Sequence, residues 1–337
     1  MTDAIADPIV SIAQLEATIG APPLGVKMKI IDHLDDAAAD WIAQSTLAFI
    51  GIGKPDGPRI TLAGGNPGFA RRTDEHTLTI PLEALDDPDL AQPGEGAGVL
   101  CLVPGIGETL RANGRVKSRS NAAIEITIEE CFIHCAKSLI RSAFWEAQPA
   151  QPPADPTAFV NATRFLALAT MDKRGLVDIS PKGDPASLLI RLDATTATLA
   201  ERPGNKLAFG YRNIIEQPRA AMLALIPGAN TTAHLTGNAC LTTDEATRAA
   251  FTVEEKTPKL ATILENVAPV LRPSPALQRA APWSDAQPTP TIDPAATFVA
   301  HVKLNKEKGV AATMMRLAVN RGLVEAGLKT NYKNELY

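Results

Sequence analysis

The sequence predicts a mainly β, α+β fold: one small antiparallel barrel occurs twice, and the two copies pair inside a single chain with helices at the periphery. Three observations predict it. Short apolar runs alternate with Pro, Gly and Asp turn residues instead of long helical stretches. The same succession of elements recurs about 120 residues later. Proline is abundant at 27 residues and aromatics are scarce at 4%, which favours many turns and short elements.

The recurrence is clearest at two stretches. "LCLV" (100–103) runs into "PGIGETLRANGR", and "LALI" (223–226) runs into "PGANTTAHLTGN"; they align without a gap at an offset of 123. Upstream, "LAFIGIGKPDGPRITLAGG" from Leu47 matches "FLALATMDKRGLVDISPKGD" from Phe165 in order, with Gly57 opposite Gly175, Gly65 opposite Gly183 and Pro67 opposite Pro185. "TLTIP" (77–81) and "ATLAE" (197–201) follow in turn. A period this long is a repeated domain, not a solenoid.

The expected organisation is a helical segment over 1–46, a first barrel over 47–146, a Pro/Ala-rich linker over 147–157, a second barrel over 158–301 and a basic helical tail over 302–337. Apolar residues at three- and four-residue spacings mark the first segment as helical. Residues 281–294, "APWSDAQPTPTIDP", read as a surface loop. The tail carries Lys303, Lys306, Lys308, Arg316, Arg321, Lys329 and Lys333 against Glu307, Glu325 and Glu335.

Bulk properties exclude some classes. A net charge of −4 gives no electrostatic case for nucleic acid or a membrane surface. No apolar run approaches the ~20 residues a membrane span needs. Cys101, Cys131, Cys135 and Cys240 form no spaced framework, and the start does not resemble a signal peptide, so reduced thiols and a cytoplasmic location are expected. If 131–135 is a strand, His134 faces away from Cys131 and Cys135, which argues against a metal site.

The two halves carry different chemistry. The second holds "DISPKGDP" (178–185) and "ERPGNKLAFGYRN" (201–213): a polar glycine loop with Ser180 and Lys182, then Arg202, Asn205, Lys206, Arg212 and Asn213 around a Pro-Gly turn and a helix start. Basic side chains beside free helix-start amides suit a phosphate. The first half is neutral to acidic there ("TLAGGNPG", "LEALDDPDLAQPGEG"), but supplies Arg111, Asn113 and Arg115 in "LRANGRV", and His134, Lys137, Arg141 and Trp145 in "CFIHCAKSLIRSAFW". The inventories are complementary. A twofold pairing of duplicated barrels makes two equivalent clefts, and the residues predict that only one keeps both walls. The other pairs "LAGGNPG" with "TTAHLTGN", where His234 and Asn238 replace the arginines.

At "ATMDKRGLVDISPKGDP", "RPGNKLAFGYRNIIEQPRAAMLALIPG", "PGIGETLRANGR" and "FIHCAKSLIRSAFW" the chain resembles the pyridoxamine 5′-phosphate oxidase-related, FMN-binding split-barrel family. In one branch these motifs occur in a single short chain, two chains pair, and FMN lies between them. Here they are divided between copies covering about 47–146 and 159–250. The resemblance implies two tandem split β-barrels forming an internal pseudo-dimer, with at most one well-formed FMN site. Carried over, Ser180, Lys182, Arg202, Asn205, Lys206, Arg212 and Asn213 would line the phosphate and ribityl side. Arg111, Asn113, Arg115, Lys137, Arg141 and Trp145 would come from the other barrel.

The second half lacks the "LRANGR" arginines and any "HCAKSLIRS" segment, and the first half lacks "SPKGD" and "RPGN". The implied function is an FMN-dependent oxidoreductase acting on a small-molecule substrate or oxygen, with NADH or NADPH as a candidate electron donor; the alternative is a non-catalytic flavin- or haem-binding protein of the same fold. No residue reads as an obligatory acid or base, and His134 and Arg111 are the weak catalytic candidates. Because the copies pair internally, either a monomer or a homodimer is expected.

Overall fold

The computed structural model describes residues 5–337. Three helices open the chain: α1 (Ile12–Ile19), α2 (Leu24–Met28) and α3 (Asp36–Gln44). Ser11 and Asp35 cap α1 and α3 by accepting the Gln14 and Ala38 amides. A first sheet follows, made of β1 (Leu47–Lys54), β2 (Gly57–Gly64), β3 (Arg71–Asp74), β4 (Thr77–Pro81), β5 (Gly96–Leu102), β6 (Thr109–Arg119) and β7 (Ala123–His134). Helix α4 (Lys137–Arg141) closes that half, and α5 (Pro156–Ala162) opens the next.

The second sheet comprises β8 (Phe165–Met171), β9 (Val177–Gly183), β10 (Ile190–Asp193) and β11 (Thr196–Ala200), then α6 (Phe209–Glu216), β12 (Arg219–Leu225) and β13 (Thr231–Thr242). After α7 (Glu245–Ala249) come β14 (Ala261–Glu265), β15 (Val270–Pro273) and α8 (Pro275–Ala280). The chain finishes with α9 (Pro294–Leu304), α10 (Val310–Ala318) and α11 (Arg321–Asn334).

The strand order settles the duplication. The first sheet runs β2-β1-β5-β6-β7-β4-β3 and the second runs β9-β8-β12-β13-β14-β11-β10, with β15 added beside β13. Replacing each strand of the first by the seventh after it gives the second, and every pairing is antiparallel.

Period-two patterning explains how the sheets combine. In β1, Ala48, Ile50 and Ile52 enter the first barrel's core, while Leu47 and Phe49 enter a cluster shared with the second half. In β8, Leu166 and Leu168 enter the second core, while Phe165, Ala167 and Ala169 join the shared cluster. Both strands are buried on two faces, which is why they read as continuous apolar runs. The shared layer admits little bulk: a Cβ on Gly51 would lie 2.9 Å from Val177 Cγ1. The halves are thus welded face to face through a core of their own.

Two expectations need correction. β7 ends at His134 and the chain turns there, so Cys135 is not a strand residue facing away from it. The 281–294 segment is not merely a surface loop, because Trp283 packs on Phe144 with ring centroids 5.5 Å apart and donates its indole N–H to Phe144 O.

Candidate functional site

One cleft forms where β6, the end of β7 and α4 of the first half meet β9, the 201–208 loop and α6 of the second. On β9, alternation puts Asp178, Ser180 and Lys182 on one face, while Ile179 enters the shared core. Arg111, 3% exposed, reaches across from β6, with its guanidinium over the Phe132 ring at 4.8 Å and its Nη2 donating to Asp178 Oδ1. This buried ion pair joins the two barrels at the floor of the cleft.

Helix α4 forms a wall because it lies flush on β9. A Cβ on Gly183 would come within 2.0 Å of Ser138 O, and Arg141 Nε donates to Gly183 O at 2.9 Å. The opposite wall is the loop after β11. Arg202 donates to buried Asp184 at 2.5 Å and to Phe251 O at 2.9 Å. Asn205 Oδ1 accepts the Leu207 amide, and Lys206 and Ala208 take positive φ angles of 60° and 54° before α6 begins. Among the described residues no side chain caps α6, whose first residues line the cleft.

The electrostatics are positive. Arg111, Arg141, Lys182, Arg202 and Lys206 line the cleft against Asp178 and Glu201. Burial pulls the Lys182 ammonium down to about 8, opposed by Glu201, and it donates to Tyr211 Oη at 2.8 Å. Burial pulls Arg111 down to about 9, against Glu130, so it is cationic at neutral pH. Burial pushes Glu201 up to about 7, opposed first by Lys182. His134 is held well below its ordinary value by burial and then by Arg111, Lys29, Lys182 and Arg141, and is neutral. Arg111 Nε, His134 Nδ1, Ser138 Oγ, Asn205 Nδ2 and Asp178 Oδ2 are buried without a hydrogen-bond partner among the described residues. Buried polar atoms are normally paired, so their convergence makes this cleft the candidate site.

The final residues of the chain lie across this cleft. Lys137 Nζ donates to Glu335 O at 2.7 Å, Arg141 Nη1 donates to Leu336 O at 2.8 Å, and the Arg202 guanidinium stands 5.2 Å from the Tyr337 ring. The cleft itself has a volume of about 90 Å³.

Residues 156–282 match the family model described as Pyridoxamine 5′-phosphate oxidase. That match falls on the second barrel. The first half repeats its strand order, so the chain is a tandem fusion of two copies of one split-barrel fold.

Among solved structures, the chain is similar to a tagged form of HupZ from Group A Streptococcus in its 1.70 Å crystal structure, with 20% identity, 35% of this chain and 90% of that chain covered, and a TM-score of 0.29. It is similar to an F420 reductase with 14% identity, 35% and 98% covered, and a TM-score of 0.28. No curated protein matches the chain.

Within this tandem split barrel, Arg111, His134, Arg141, Ser180, Lys182, Arg202, Asn205 and Lys206 share the cleft, with Lys137 at its edge. The remaining expected ligands lie elsewhere. Asn113 donates to Glu130, Arg115 to Arg174 O, Arg212 to Glu16 and Asn213 to Thr170. Trp145 donates to Ile106 O and stacks edge-on against Phe144. Asp178, Glu201 and Tyr211 were not anticipated; the alternation Asp178-Ser180-Lys182 on one strand was the available signal for the first.

The pseudo-twofold also exposes a counterpart that the sequence hides. Helix α8 packs on β2 as α4 packs on β9: a Cβ on Gly64 would lie 2.2 Å from Ala276 O, and Arg279 Nε donates to Gly64 O at 3.1 Å. Leu277, Arg279, Ala281 and Trp283 repeat Leu139, Arg141, Ala143 and Trp145 at one constant offset, and both alanines have positive φ. The second half therefore does have the segment that it seemed to lack.

What differs is charge. Pro275 stands in place of Lys137, and Arg279 is spent on Gly64 O and Ala84 O. Asp86, five residues past β4 as Asn205 is five past β11, accepts the Ala276 amide at 2.7 Å and the Ser274 hydroxyl. In the second cleft the chain's own carboxylate thus binds the start of α8. His234, expected there, is bonded to Thr232 and lowered to about 4 by burial.

Proposed function

We propose that the cleft binds FMN through its phosphate and ribityl side, one molecule per chain, and that the chain is an FMN-dependent oxidoreductase. The observation that carries this is the donor set: five cationic side chains from both barrels converge with the unpartnered Arg111 Nε, Ser138 Oγ and Asn205 Nδ2, an inventory suited to a phosphate and a polyol. The pseudo-symmetric cleft offers a carboxylate instead. When bound, FMN would supply hydride or electron transfer between a reduced donor and a small-molecule substrate or oxygen. Lys182, Arg141 and Ser180 would hold the phosphate side and Asn205 and Ser138 the polyol. Arg111 stays fixed by Asp178 at the floor, and neutral His134 is available as a hydrogen-bond partner.

Lys182→Met should weaken FMN binding by about 1.5–3 kcal/mol, the worth of one charge-assisted hydrogen bond. Arg202 is the poorer probe, since its removal also strands buried Asp184. Because Lys182 loses its proton near pH 8 in the free protein, FMN affinity should decline as pH rises past about 8 and hold below it. Fluorescence titration at several pH values measures both effects, and a Lys182→Met variant with unchanged affinity contradicts the assignment.

Since Glu335 O and Leu336 O engage Lys137 and Arg141, loading requires the tail to release those donors. Removing residues 335–337 should therefore speed FMN uptake, read as quenching of flavin fluorescence; an unchanged rate would show that the tail does not compete. Bleaching of the bound flavin by NADH or NADPH tests catalysis. A flavin inert to every reductant would indicate a binding protein, and a Soret band would indicate haem.

A further inference from the structure

Beside the cleft lies a second chamber of about 440 Å³ that shares His134, Cys135, Asn205 and Lys206 with it. Its walls are mainly apolar: Val26, Ile133, Phe298, Val324 and Leu328. Into it also projects Lys29, only 4% exposed, which makes no ion pair or side-chain hydrogen bond among the described residues. Its Nζ stands 5.8 Å from the Phe132 ring centroid, and burial pulls the ammonium down to about 8, opposed by Cys135 and reinforced by Arg111. A buried ammonium without a partner is costly, and here the surrounding fold holds it in place. Ile31 pairs with Cys131, His301 bonds Lys29 O at 3.2 Å, and Asn305 donates to Ile30 O at 2.6 Å. The chamber's acids have other partners: Glu108 accepts the hydroxyl of Tyr332 on the same wall at 2.7 Å, and Glu335 lies 3.7 Å from Lys137. His134 Nδ1, unpartnered, is a second polar atom at the junction with the cleft.

We propose that this chamber binds a small, largely apolar carboxylate, its chain against Ile133, Phe298 and Leu328 and its anionic group paired with Lys29. The chamber adjoins the cleft at the residues the two share, and the molecule it holds is the oxidoreductase's substrate; that role rests on the flavin reading, whereas the binding itself does not.

Calorimetric titration of the full chain, loaded with FMN, with octanoate and with 1-octanol tests this on ligands of equal chain length that differ in charge. Octanoate should bind one per chain and at least tenfold tighter than octanol. Lys29→Met should abolish that preference while leaving octanol binding unchanged, Lys29→Arg should keep it, and Leu328→Trp should weaken both ligands by filling the chamber. Equal affinity for the two ligands in the unaltered protein, or a preference that survives Lys29→Met, would overturn the proposal. Competition between octanoate and FMN would also overturn it, by giving the chamber to the flavin. A protein that ignores FMN yet binds octanoate through Lys29 would uphold the chamber and remove the flavin reading.

Discussion

Arg111→Met should destabilise the folded chain by about 3–5 kcal/mol, because it leaves the Asp178 carboxylate buried beneath the cleft without its counter-charge. Arg111→Met combined with Asp178→Leu should recover most of that loss, since the desolvation cost of both charges disappears with them. The double variant should nevertheless bind FMN poorly, because one cation and the unpartnered Nε are gone. Chemical denaturation and flavin titration on the same samples separate the two effects. If both variants were equally unstable, the contact would matter for packing around Phe132 and not as an ion pair. If the double variant bound FMN normally, Arg111 would not belong to the flavin site.

A pair of glycine substitutions should divide stability from function across the pseudo-twofold. Gly183→Ala forces a Cβ against Ser138 O, and Gly64→Ala forces one against Ala276 O. Each pushes a short helix off its strand and should cost about 1–3 kcal/mol or more as overpacking. Gly183→Ala displaces Ser138 and Arg141, so FMN affinity should fall at least tenfold. Gly64→Ala displaces α8, whose start is held by the Asp86 carboxylate and lies away from the first cleft, so affinity in the folded fraction should be unchanged. Matched losses in both variants would mean that the clefts are functionally alike.

These expectations show where the sequence was informative and where it was not. The duplication was legible because hairpin glycines and the Pro-Gly turn after β5 and β12 are local requirements of chain reversal, so they survive in both copies in order. Ser180, Lys182 and Arg202 were legible because they sit close together along the chain. The α4–α8 equivalence was not, because 245–260 lengthens the second copy before β14, and few side chains in the two helices match. Arg115, Arg212 and Asn213 carry the right chemistry but face neighbours supplied by distant segments, such as Glu16 on α1. Lys29 gave no local signal at all. It becomes a site residue only through the Ile31–Cys131 bridge and the docking of α9, both long-range contacts.

The claim on which the account turns is that two copies of one barrel build a single ligand site from unlike halves. The most direct measurement is the number of FMN molecules bound per chain at saturation, taken with the Lys182→Met and Arg279→Met variants beside the unaltered protein. The account predicts one FMN per chain, weakened by Lys182→Met and untouched by Arg279→Met; two per chain, none, or sensitivity to Arg279 instead of Lys182 would contradict it.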